Sequence, residues 1–100
     1  MIPEILQKSK SRISDICRRY EISELSLFGS RVRGDFTAES DFDFLIEFEP
    51  DADVDYFKFF EIQEELENVV NTKVDLIPKK GLRKLIRRHV LSEAEIIYAA

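Results

Sequence analysis

The stretch "LFGSRVRGDFTAESDFDFLIEF", residues 27–48, decides how this chain is read. Its second half alternates as a strand does, with Phe42, Phe44, Ile46 and Phe48 on one face and Asp41, Asp43, Leu45 and Glu47 on the other. Its first half belongs to a shorter strand, "ELSLFGS", that runs into a Gly-Ser turn. Two strands joined in this way can pair antiparallel, which sets the end of the first beside the start of the second. The aspartates at that start need a reason. Asp is depleted in strands, and two carboxylates roughly 7 Å apart on one face repel unless solvent or a cation separates them. An edge strand that opens with solubilising acids is the plain explanation.

Outward from this stretch, "PDAD" breaks the chain and helical spacing follows from about residue 54 to residue 70. A helix of that length can serve as a crossover, laying the next strand, "KVDLIP", parallel to the second; Pro78 stops it. Ahead of the first strand, Ile2, Ile5, Leu6, Ile13, Ile16, Cys17 and Tyr20 keep helical spacing over residues 2–20, with Pro3 tolerable in a first turn. Residues 81–98 read as one or two closing helices. The order of elements predicts an α/β (α+β) fold, a small mixed β-sheet flanked by helices, with residues 1–100 forming a single domain.

One hundred residues with 44% apolar content suffice for one core and leave no room for a second lobe that would enclose a bulky substrate. Any large substrate must then be gripped from outside or arrive as a partner. A single cysteine, Cys17, excludes a disulfide framework and a thiolate metal cluster. No apolar run approaches the roughly 20 residues of a membrane span, and "MIPEILQKSKSR" lacks the apolar centre of a signal peptide, so a cytoplasmic protein without membrane contact is expected. The net charge of −5 is unevenly spread: residues 35–67 hold 13 acids and one lysine, whereas residues 1–34 and 68–100 hold seven basic residues each. An acidic middle of this kind argues against direct nucleic-acid binding through phosphate neutralisation. It permits a phosphate ligand that arrives with a divalent cation.

Asp75 supplies that context. It is another acid inside an apolar strand, and if that strand lies beside the second, Asp41, Asp43 and Asp75 converge on one patch. A few carboxylates, completed by water and substrate phosphate, are the oxygen set that Mg²⁺ takes at about 2.1 Å. Gly29 and Ser30 follow the first strand directly. Glycine lets a backbone approach a phosphate, and Ser30 is expected to cap the short "RVRG" turn with its N–H groups aimed at an anion.

These residues resemble a known family. "GSRVRGDFTAESDFD" has Gly-Ser, ten residues and then Asp-x-Asp; with "KVDLIP" further on it looks like the nucleotidyltransferase superfamily of the polymerase beta type, in its minimal nucleotidyltransferase (MNT) branch. The resemblance covers nearly the whole chain. It implies the nucleotidyltransferase fold, with Gly29 and Ser30 holding the β- and γ-phosphates of ATP. Asp41 and Asp43 would ligate Mg²⁺, and Asp75 would complete a second metal site and help deprotonate the attacking hydroxyl. Arg31 and Arg33 are candidates for neutralising the departing pyrophosphate. Phe42 departs from the aliphatic residue often found between the two aspartates, but it faces away from them.

Small proteins of this branch commonly act as antitoxins that transfer AMP from ATP to a tyrosine of a HEPN-domain toxin, and that is the function and partner the resemblance implies. Two other functions stay open: an antitoxin that neutralises its partner by binding alone, and a small-molecule adenylyltransferase that needs a second helical subunit. Phe57, set among Glu61, Glu64, Glu65 and Asn68 outside the apolar stripe of its helix, is a candidate anchor for a basic partner. Other features carry less. "DADVD" lacks the glycine and glutamate of a calcium loop, His89 has no metal-spaced neighbour, and Cys17 reads as a small core residue.

Overall fold

The computed structural model describes residues 2–100. Strands β1 (Ile22–Phe28) and β2 (Phe42–Phe48) pair antiparallel with Phe28 opposite Asp43, and β3 (Val74–Pro78) lies parallel to β2 with Asp75 opposite Asp43. Both pairings follow the expectation. The strand proper begins at Phe42, so Asp41 stands just ahead of it.

Leu25, Leu27, Phe42, Phe44, Ile46, Val74 and Leu76 form the sheet's core face and are buried. Over them lie α1 (Glu4–Lys8), α2 (Lys10–Arg19) and α4 (Tyr56–Val70), through Leu6, Ile13, Ile16, Cys17, Ile62, Leu66 and Val69. Each large apolar side chain fully withdrawn from water here contributes about 1.5–3 kcal/mol. Cys17 belongs to this core, and burial pushes its thiol up to about 12, which keeps it protonated and inert.

The crossover fixes where Asp75 stands. Asp55 caps α4 by accepting from the Lys58 amide at 2.8 Å, and Asn71, at φ 52°, ends the helix in the left-handed conformation. Near its end, Glu67 accepts from the Val74 amide at 2.9 Å and Gln63 donates to the Val74 carbonyl at 3.1 Å. The first residue of β3 is thereby tied on both backbone groups, one position before the aspartate. On the far side, Arg19 donates to Glu65 at 2.6 Å and the Tyr20 hydroxyl donates to the same carboxylate at 2.7 Å, joining α2 to α4.

Three local expectations are corrected. The leading helix is two helices, broken at Ser9, whose φ of −101° and ψ of 16° interrupt the helical path. Ser30 is not a cap: it is the first residue of a one-turn helix, α3 (Ser30–Arg33), with Gly29 in the cap position. Finally, the closing segment is helical only over α5 (Lys84–Glu93); Glu95–Ala99 is a strand, β4, on the free edge of β1. The sheet order is therefore β3-β2-β1-β4. Ile96, Ile97 and Tyr98 suit a strand by type, and the unpaired edge of β1 offers the hydrogen bonds that a further helix would leave unmade.

Candidate active site

The face of the sheet opposite the core carries Phe28, Asp43 and Asp75 side by side on three adjacent strands. Asp43 is half-buried and Asp75 is exposed at the edge strand. Burial, then the charges of Asp75 and Asp41, raise the Asp43 carboxyl from 3.8 to about 6; Arg33 opposes this and Glu93 adds to it. The acids thus lie near enough to feel one another. Among the described residues, however, no three His, Cys, Asp or Glu side chains are gathered tightly enough to hold an ion by themselves. The donor set is nonetheless the hard, anionic oxygen set that suits Mg²⁺, an ion that keeps several water or phosphate ligands beside one or two carboxylates.

Gly29 brings the turn against these acids. Its φ of 80° and ψ of −158° are open to glycine and strained for other residues, and a Cβ built on it would run into the Asp43 carboxylate. Its carbonyl accepts the first helical bonds, from Val32 and Arg33, both at 3.1 Å. Its amide donates at 3.0 Å to Oε1 of Glu93, the last residue of α5. The same carboxylate receives Arg33 Nη1 at 3.1 and 3.3 Å, and His89 Nε2 lies 3.6 Å from it. Glu93 is the one member of this group that the linear sequence does not single out, since 64 positions separate it from Gly29. Its faint signal is an acid closing a helix otherwise rich in Lys and Arg, where the helix dipole favours a cation.

The two arginines have separate surroundings. Arg33 stands at the acids and bonds Asp35 as well as Glu93. Arg31 is committed to the loop: its guanidinium lies between the Phe36 and Phe42 rings, 4.6 and 4.3 Å from their centroids, and Nη2 donates to the Ser40 carbonyl at 2.7 Å. Its Nε is buried without a hydrogen-bond partner among the described residues, so cation–π attraction supplies what that group receives. Phe42 therefore has two partners, the Phe44 ring at a centroid distance of 6.3 Å and the Arg31 guanidinium over its face. A cleft of about 290 Å³ opens beside Asp75, between β3 and α5, with Phe28, Ile77, Leu82, Ile86 and Val90 in its walls.

Comparison with known proteins gives one consistent answer. Residues 10–97 match the model of the nucleotidyltransferase domain. The protein adenylyltransferase MntA of Thermococcus cleftensis is 36% identical over 92 residues, which cover 92% of this chain and 88% of that protein. A solved structure described as a minimal nucleotidyltransferase superposes with a TM-score of 0.77 at 28% identity, over 95% of both chains. The fold is also that of the MNT antitoxin solved with a tri-AMPylated HEPN toxin of Shewanella oneidensis, with a TM-score of 0.67 at 16% identity, covering 95% of this chain and 73% of that one.

Proposed function

This chain belongs to the nucleotidyltransferase-domain family, in its minimal branch, and on that premise we propose that it transfers AMP from ATP to a tyrosine hydroxyl of a HEPN-domain toxin in the cytosol, with Mg²⁺, as an antitoxin. One observation carries this reading: Gly29 packs its bare Cα on the carboxylate of Asp43, which is itself paired with Asp75. A phosphate-binding turn and the acids that would hold its counter-ion therefore meet at one point.

Asp41 and Asp43 would hold Mg²⁺, with Asp75 at a second position. Bound there, the metal supplies charge neutralisation to the phosphates and to both the entering and the leaving oxygen of an in-line displacement. The Gly29 amide and the Ser30 hydroxyl bind and orient the β- and γ-phosphates, and Arg33 adds positive charge where the pyrophosphate departs. Arg31 acts by bracing the loop that carries Asp41. As the acceptor oxygen bonds to the α-phosphorus and the bond to the β-phosphate oxygen breaks, the acceptor's proton passes to the exposed Asp75 carboxylate. Pyrophosphate leaves, and the tyrosine ends as its AMP ester. On this reading residues 1–100 act as one catalytic domain whose partners are ATP and the toxin, without direct contact to nucleic acid or membrane.

The test is intact mass spectrometry of a HEPN partner after incubation with ATP, Mg²⁺ and either this protein or its Asp41→Asn/Asp43→Asn variant. Mass gains in whole AMP units, seen only with the parent, are expected. An unmodified partner bound stably by both proteins would replace transfer with neutralisation by binding. Pyrophosphate release driven only by a small hydroxylated acceptor would replace the protein acceptor.

A protein partner has a matching surface on α4. Tyr56, Phe57 and Phe60 are 83%, 79% and 60% exposed, and an apolar groove of about 510 Å³ opens beside Tyr56, lined also by Val54, Phe59, Leu76 and Pro78. Asp55 borders the groove, and Asp51, Asp53, Glu61 and Glu64 are exposed on the same loop and helix, so this part of the surface fits a partner with apolar side chains set among Lys and Arg. Phe57→Ala should weaken toxin binding by about tenfold, the loss typical of an aromatic anchor, as read by titration calorimetry. Parent-like affinity would remove this surface from the interface.

A further inference from the structure

We propose that Glu93 is a built-in competitor for the nucleotide: it occupies the phosphate-binding amide of Gly29 and the Arg33 guanidinium, and it must leave before a triphosphate can bind. This rests on the phosphate-binding role given to the Gly-Ser turn above.

Glu93 Oε1 takes both the Gly29 N–H, at 3.0 Å, and Arg33 Nη1, at 3.1 Å. These donors suit a phosphate oxygen, and a carboxylate meets them with the same charge and the same hydrogen-bond geometry. A second anion cannot be added without placing two negative charges on one amide, beside the already crowded Asp43. Exchange is therefore required.

The helix bearing Glu93 is lightly held. Val90 is its only buried residue, while Leu85 is 97% exposed and Ile86 and Leu91 are also exposed. Glu93 opposes the dipole at the end of this helix, so its own helix does not favour it there. It stays because Gly29 and Arg33 hold it. Ala94, in extended conformation, separates it from β4, which gives the last turn of α5 a point about which to move while β4 stays zipped to β1. Arrival of phosphate replaces the carboxylate on Gly29, and the released turn opens the wall of the cleft beside Asp75.

The experiment is calorimetric titration of the parent and of Glu93→Gln with AMP-PNP and Mg²⁺, together with amide hydrogen exchange over residues 84–93. The variant keeps the shape and an acceptor oxygen but removes the competing charge, so it should bind about tenfold tighter. In the parent, AMP-PNP should speed exchange in the last turn of α5, a result that needs no variant. Equal or weaker binding by Glu93→Gln, or slowed exchange in that turn, overturns the competitor while leaving nucleotide binding intact. If neither protein binds AMP-PNP, the phosphate-binding role of the turn falls and the competitor with it.

Discussion

Asp43→Asn should slow AMP transfer by about 10²–10³-fold, as loss of a main electrostatic element does, while raising the melting temperature at neutral pH. The two effects have one cause. Half-burial and the neighbouring Asp75 and Asp41 lift the folded Asp43 carboxyl from 3.8 to about 6. Below pH 4 it is protonated in the folded and the unfolded chain alike. As pH rises towards and past 6, the unfolded chain gives up this proton more readily than the folded one does. The stability that protonated Asp43 contributes is therefore full below about pH 4 and lost as pH passes the raised value. Discounted for the solvent that still reaches the group, the ionised carboxylate costs about 1 kcal/mol at pH 7. The amide removes that cost, so Tm at pH 7 should rise by about 4 °C, with no gain at pH 3.5. Added Mg²⁺ should stabilise the parent and not the variant. Equal melting of the two proteins at pH 7, with Mg²⁺ stabilising both, would take Asp43 out of the metal site.

Gly29→Ala should lose about 3 kcal/mol of stability and most of its transfer activity, because backbone strain and a collision act together. The methyl group has no room: Gly29 is buried, its φ is 80°, and the atom it would strike is the Asp43 carboxylate. Either the turn or the aspartate must move, and each carries part of the site. Gly34 provides the control. It also has a positive φ, 93°, but nothing lies within 4 Å of the position a Cβ would take. Gly34→Ala should therefore cost only about 1 kcal/mol of conformational strain and leave transfer close to the parent's. Denaturant melts and transfer assays on the pair separate strain from collision. Gly29→Ala that melts and transfers like Gly34→Ala would show that the close approach of turn and aspartate is not needed.

Much of this arrangement was legible because it depends on short-range pattern. Alternation at residues 42–48 declared a strand, Pro78 ended another, and the spacing from Gly29 to Asp43 brought turn and acids together across an antiparallel pair. The closing strand was not legible, since "LIRRHVLSEAEIIYA" carries helical spacing into residues that become strand only because β1 has a free edge to pair. The break at Ser9 has no Gly or Pro to announce it. Arg31 reads as a phosphate ligand by type, yet two rings that flank it in space, Phe36 and Phe42, take it for the loop. Glu93 was hidden for the plainest reason: its partners are chosen by tertiary contact alone.

The sheet keeps its main apolar cluster under one side and its acids on the other. Substitutions at Asp75, Ile86 or Glu93 leave the buried cluster of Leu27, Phe44, Ile62 and Leu66 untouched, so the scaffold tolerates sequence drift on the chemical side at little risk of unfolding. If Glu93 competes with the nucleotide as proposed, a lineage can thus vary nucleotide affinity by changes to α5 and its loop, while selection on foldability acts mostly elsewhere. Mutational robustness and functional change are thereby assigned to opposite sides of one sheet.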